Sequence, residues 1–374
     1  MSASSTPSSR IVDSRAPGRR IAILDIYRGL TIFYIVAVVH PLFWIHTSVP
    51  APLSWLMLEM PVLFALAGYA FGLSSGAAGM PWGRYFINRL DRLLIPVVLY
   101  VAACAMLAVA DNIGSIRSIA DALHAAAWWL PDRFHPRQPR PPFLAWHLWF
   151  LPVMLLVSAV LPAFNLVRKP ERWMPLLIVW LSAFCLLALG STLVHLPSTL
   201  AHSILYAAWA YTGLAWKRGW QPRPNQLLGI SAGAALALGA GWWLGLWTLN
   251  MQTNKFPASV PFLLFSLCVM PLVCSAAPAS AGLLMKLGQS SLLKPYVRYS
   301  YSCYLWQPVG FLLFHRLAAR PLLSYPALRA ALSAPMALTL TALLVSLVGR
   351  LEHFTFLKRV RAAKGQASLP KPVT

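Results

Sequence analysis

LDIYRGLTIFYIVAVVH (Leu24–His40) decides how this chain is read. Asp25 and Arg28 stand at its head, His40 at its end, and the residues between Arg28 and His40 carry no charge. Read as a helix crossing a membrane, the stretch commits the chain to a membrane fold and holds three polar groups inside it.

The rest of the sequence agrees. Hydrophobic residues make up 58% and charged residues 11%, with a mean hydropathy of +0.63, whereas about a quarter of residues are charged in soluble domains. The expected fold is therefore an all-α integral membrane protein. Apolar runs of about 20 residues predict about ten transmembrane helices, centred near Tyr34, Phe64, Tyr100, Leu155, Ser182, Ala208, Leu238, Leu267, Phe311 and Leu340.

Between these runs the basic residues alternate. Arg19 and Arg20 precede the first run, Arg84, Arg89 and Arg92 follow the second, and Arg168 and Lys169 follow the fourth. Lys217 and Arg218 follow the sixth, Lys286 and Lys294 the eighth, and Lys358 and Arg359 the tenth. By the positive-inside rule that side is cytoplasmic, with both termini inside, in a multi-pass protein of the inner (plasma) membrane. The formal charge of +22 sits in these short clusters, which fits anionic lipid and not nucleic acid.

Residues 1–20 read as a disordered cytoplasmic tail, 21–350 as the transmembrane domain and 351–374 as a basic cytoplasmic tail. Asp111 to Phe143 reads as a long outer loop holding Trp128 and Trp129, a length that points to function. The five cysteines, Cys104, Cys185, Cys268, Cys274 and Cys303, lie in apolar segments without a CxxC pair, so neither a disulfide nor a metal cluster is expected.

Ionisable groups inside a span mark function by default. Asp25 and Arg28 are one helical turn apart and can pair. His40 lies twelve residues beyond Arg28, about 18 Å along a helix axis. A substrate with an anionic head on Arg28 and a long flexible arm reaching His40 would fit, and acyl-coenzyme A has that shape. Arg89 and Arg92 could clamp its phosphates, or could simply anchor the span at the membrane surface. Glu59 could orient a histidine or bind an acceptor hydroxyl, or could pair with a basic residue of an outer loop. His46 is a second candidate base; His147 and Trp149 could line an acceptor entrance.

These residues resemble the membrane acyltransferase 3 family. LDIYRGLTIFYIVAVVH is similar to the family's opening LDxxRG…H signature. MPVLFALAGYAFGL (Met60–Leu73), RYFINRLDRLLIP (Arg84–Pro96), HLWFLPVMLLVSAVLP (His147–Pro162) and RYSYSCYLWQP (Arg298–Pro308) resemble four later stretches in the right order. The resemblance implies a fold of about ten helices that transfers an acyl group, with cytoplasmic acyl-CoA as donor and often a cell-envelope carbohydrate as acceptor. It implies that Arg28 matches the family's arginine and His40 its essential histidine.

Two positions depart from the family's pattern. Its histidine follows the arginine by eleven residues, where this chain has Val39, and Gln307 stands where a histidine is frequent. Twelve α-helical steps would turn His40 about a third of a turn away from the face of Arg28; a π-bulge absorbing one residue would restore it. Pro41 also disfavours helical geometry at His40.

The expected chemistry is O-acylation with acetyl as the expected acyl group and His40 as general base or as acyl-carrying nucleophile. The different-class alternative is a transporter or flippase of an anionic or lipid-linked substrate; no internal repeat supports it.

Overall fold

The first helix sets the frame. α1 (Ala22–Tyr34) runs into a π-helical turn at Ile35–Val39 and resumes as α2 (His40–Ile45). The computed structural model describes residues 22–45, 49–75, 82–127, 143–166, 173–190, 197–318 and 326–352. The expected N-terminal tail, residues 353–374 of the expected C-terminal tail, His46, Trp128 and Trp129 lie outside the described residues; α16 runs two residues past the expected domain boundary at 350.

After α2 come α3 (Ala51–Ser54), α4 (Glu59–Ser75), α5 (Trp82–Asp111), α6 (Ile119–Ala127), α7 (Phe143–Trp146) and α8 (Phe150–Val160). The second half holds α9 (Trp173–Gly190), α10 (Ser198–Lys217), α11 (Pro224–Trp243), α12 (Met251–Lys255), α13 (Val260–Gly288), α14 (Lys294–Arg298), α15 (Ser300–Ala318) and α16 (Pro326–Glu352). Every regular element among the described residues is helical.

Among the described residues, six stretches are long and apolar enough to cross a membrane: Ile23–Leu42, Ala51–Leu73, Trp82–Ala110, His147–Phe164, Val260–Ala277 and Ala331–Gly349. The chain is a multi-pass membrane protein. Helices also stand at the other expected centres, Ser182, Ala208, Leu238 and Phe311, but α9, α10, α11 and α15 are outside that set of six.

Part of the expected long outer loop is structured. Ile119–Ala127 forms α6, started by the Ser118 hydroxyl, which accepts the Asp121 N–H at 3.1 Å. The Arg117 N–H in turn donates to Asp121 at 3.0 Å, and this bond holds the Asp121 carboxyl below its ordinary range.

Helices in lipid associate through close packing, because apolar burial alone does not favour one neighbour over another. α4 and α10 show how. A Cβ on Gly68 would overlap the Ala210 carbonyl oxygen, and one on Gly213 would overlap the Ala65 carbonyl oxygen, so the two backbones touch. Phe64 and Tyr206 stack across the same seam, ring centroids 4.6 Å apart and planes within 4°.

Gly68→Ala is expected to destabilise the fold by about 1–3 kcal/mol, the usual effect of overpacking. Gly233→Ala on α11, where an added Cβ meets nothing within 4 Å, should be neutral or slightly stabilising. Thermal midpoints in detergent check both, and equal shifts for the two variants would contradict the seam.

The break in the first helix has a local cause. Pro41 has no N–H and its ring crowds the carbonyl four residues back. The π turn widens the helix just before it, with the His40 N–H donating to the Ile35 carbonyl five residues behind. His40 itself stays helical, φ −70° and ψ −35°, so Pro41 does not end the helix there. With one residue absorbed, twelve positions act as eleven α-helical steps, within about 20° of three full turns.

Candidate active site

At the α1 end, Arg28 pairs with Asp25 one turn back and its Nε donates to the Ser300 hydroxyl at 2.7 Å. Gly29 makes this possible. A Cβ there would lie 2.6 Å from Val297 Cα, so only glycine lets α1 press on α14 and bring Arg28 to the start of α15. The Arg28 side chain remains 42% accessible, against 13% for Asp25; a ligand can reach the guanidinium while the carboxylate holds it.

Arg89 approaches the same end of α15. It is half-buried and donates to the Ser158 hydroxyl at 3.3 Å and towards the Met154 sulfur at 3.2 Å. Tyr301, next to the Ser300 that holds Arg28, is within its electrostatic reach. The structure thus gathers Arg28 and Arg89 around Ser300 and Tyr301. Arg92 is exposed beside Arg89, and no described contact brings it to Arg28.

His40 lies at the other end of the first helix, against α15. Its ring is 6.3 Å from that of Tyr304, and the Gln307 carboxamide faces it. Gln307 is fixed by its neighbour in sequence. Pro308 inside α15 cannot donate to the Tyr304 carbonyl, and Gln307 Nε2 takes that place at 2.9 Å.

His147 lies on the far side of Tyr304. The two rings are 5.4 Å apart, and the Tyr304 hydroxyl donates to the His147 carbonyl at 3.1 Å. Tyr100 packs edge-on to the same imidazole at 5.4 Å and anchors the chain before it by donating to the Leu144 carbonyl at 2.7 Å. An entrance-lining role had been one expectation for His147; it is instead only 3% exposed.

Glu59 and Lys255 form a buried ion pair between them, with side chains 1% and 2% accessible. Of the two readings open for Glu59, the pair with a basic residue is the one present. Lys255 Nζ also lies over the rings of Trp149, Phe256 and Phe262, at 5.5–6.0 Å from their centroids. Trp149 packs here against His202 and Phe256. His202 Nε2 sits 2.7 Å from the Lys255 carbonyl oxygen, so the lysine backbone is held as firmly as its ammonium.

The pair adjoins the histidines. Glu59 is within electrostatic reach of Tyr34, Tyr206 and Tyr304, and Lys255 within reach of His40. A clasp between the segments around Val49–Trp55 and Leu249–Asn254 closes this end. Val49 N–H donates to Gln252, Asn250 to the Val49 carbonyl, Met251 N–H to Ser54, and Trp55 Nε1 to the Leu249 carbonyl, all at 2.7–3.1 Å.

Several polar atoms here are buried and lack hydrogen bonds among the described residues: Glu59 Oε2, both ring nitrogens of His147, the Tyr206 hydroxyl and Gln307 Oε1. In a membrane interior each such group is costly. Their concentration around Tyr304 marks a place built to receive a polar molecule. Among the described residues, no group of three or more His, Cys, Asp or Glu side chains could hold a metal ion.

Compared with known families, the chain matches over residues 21–349 the profile of a family described as an acyltransferase domain. No curated protein matches, and no solved structure matches.

Proposed function

Because the chain belongs to the acyltransferase 3 family, we propose that it is a membrane O-acyltransferase moving an acyl group, acetyl in the simplest case, from cytoplasmic acyl-CoA to a hydroxyl of an envelope carbohydrate. Ten crossing helices with both termini in the cytoplasm, in an inner membrane whose anionic lipids meet the basic clusters, complete the proposal.

One observation carries this reading. A single helix holds an accessible arginine near one end and, three turns of matching phase later, a histidine set among buried polar groups with unmade hydrogen bonds. Arg28, helped by Arg89, would hold the phosphates of the donor's head, with Arg92 as an outer contact. The pantetheine arm would run along the helix and bring the thioester carbonyl to His40.

The step then balances as follows. The acceptor oxygen attacks the thioester carbonyl carbon while its proton passes to His40. A carbon–oxygen ester bond forms as the carbon–sulfur bond breaks, and the proton goes from His40 to the departing coenzyme A thiolate. Asp25 positions Arg28, and the Glu59–Lys255 pair holds the walls around the reacting groups.

The test uses membranes containing the full chain, isotopically labelled acetyl-CoA and mass spectrometry of the envelope glycan. Wild type is expected to place the label on glycan as a base-labile ester. Transport of substrate without any covalent label would overturn the proposal in favour of a transporter. Arg28→Gln should raise the KM for acyl-CoA by about ten- to a hundredfold, the effect of removing a charged hydrogen-bonding group from an anion, with a much smaller change in kcat. An unchanged donor KM would remove Arg28 from the donor site.

A further inference from the structure

His147 is not used by the mechanism above, yet its surroundings are those of a working group. Two imidazoles, His40 and His147, flank the single ring of Tyr304. The backbone of His147 is tied down by the Tyr304 hydroxyl and its ring is packed by Tyr100, so its orientation is set before any ligand arrives.

A neutral imidazole offers one N–H donor and one lone pair. Neither nitrogen of His147 is hydrogen-bonded among the described residues; the Leu305 carbonyl faces the ring without hydrogen-bond geometry. Tyr100 and Tyr304 would pack equally well against a phenylalanine. Nothing in the packing accounts for a polar ring at 3% exposure.

The neighbouring unmade bonds indicate what kind of molecule belongs there. Gln307 has already spent its amide nitrogen on the Tyr304 carbonyl, which leaves an oxygen that only accepts. Glu59 Oε2, in a carboxylate paired with Lys255, also only accepts. The Tyr206 hydroxyl and the His147 ring each add one acceptor and one donor, so acceptors outnumber donors by four to two. A set weighted towards acceptors calls for a ligand that brings O–H donors. A phosphate brings none when fully ionised, so the head of the donor does not belong at this end.

We propose that His147 is the acceptor-binding histidine: its ring nitrogens take hydroxyl groups of the acceptor and hold the reacting one beside His40. The inference rests on the acyltransferase reading for its reaction, but its binding claim can be tested separately.

The experiment compares full-length wild type, His147→Phe and His147→Gln in lipid nanodiscs, with labelled acetyl-CoA and base-deacylated envelope glycan from the expressing cells. His147→Phe keeps the ring contacts and removes both nitrogens. Its KM for glycan should rise at least about tenfold, while the KM for acetyl-CoA stays within about twofold. Its thermal midpoint should equal or exceed that of wild type, because an unsatisfied buried polar group has been removed. His147→Gln, which restores a donor and an acceptor, should recover part of the glycan affinity.

Equal glycan KM in wild type and His147→Phe would overturn the inference, as would a donor KM rising as much as the acceptor KM. If wild type transfers nothing, the transferase reading fails by itself, and thermal shift decides the other question. Glycan that stabilises wild type but not His147→Phe upholds the binding role; glycan that stabilises both equally, or neither, removes it.

Discussion

His40→Ala is expected to lower acyl transfer by roughly 10²–10⁴-fold, the usual contribution of a positioned general base, while acyl-CoA binding stays near wild type. The division between kcat and KM follows from geometry. The donor's head would be held at Arg28 and Arg89, and His40 stands about 18 Å of helix away from them. The measurement is single-turnover transfer of labelled acetyl at saturating acetyl-CoA, with protein amounts matched in the membrane. Normal transfer by His40→Ala would strike the histidine from the mechanism. Rapid quenching of wild type, followed by mass spectrometry of the peptide around His40, separates its two chemical roles. An acyl group on the imidazole means a covalent carrier, and its absence during active turnover means a base.

The second large effect concerns stability. Lys255→Met leaves Glu59 as an uncompensated carboxylate at 1% accessibility and should destabilise the protein by about 3–5 kcal/mol. The double variant Glu59→Leu, Lys255→Met removes both charges and should recover most of that loss, because a buried pair is often no more stable than apolar residues of similar size. The cycle of wild type, two singles and the double, read as thermal midpoints in detergent, isolates the coupling between the two side chains. If Lys255→Met melts with wild type, the carboxylate has another partner and the pair is not what holds this end together. Activity of a well-folded double variant then reports whether the charges contribute to catalysis beyond holding the walls.

How much of this was legible in the sequence depended on distance along the chain. The Asp25–Arg28 pair is local, one turn on one helix, and it is present. So is the π-helical turn between Arg28 and His40, which the twelve-residue spacing suggested; Pro41 argued instead against helical geometry at His40, and there the helix continues. The family signature was readable because it lies in short stretches whose order is kept, and residues 21–349 match the family.

The partners of those groups were not readable. Lys255 is 196 positions from Glu59, and nothing local to it in the sequence singled it out. His147 was placed at an entrance because it begins an apolar run; its burial comes from Tyr100 and Tyr304 on two other helices. The contact of Arg89 with Ser158 was equally invisible. In soluble proteins the apolar stripe of a helix tells which face turns inward, but a membrane helix is apolar on both faces. The small residues that decide its neighbours, such as Gly29, Gly68 and Gly213, show their purpose only once the opposing backbone is seen.

The separation of Glu59 from Lys255 also bears on how the protein is made. Synthesis at about 5–20 residues per second puts roughly 10–40 s between the emergence of the two residues from the ribosome. Throughout that interval the helix that opens with Glu59 is threaded towards the bilayer with its carboxylate unmatched, and the clasp that would close over it is not yet translated. Seating of the second hydrophobic segment is therefore a late event in biogenesis. A chain released early, before Lys255 is made, carries a recognisable defect: an acid at the edge of an apolar helix, available to the cell's membrane quality control.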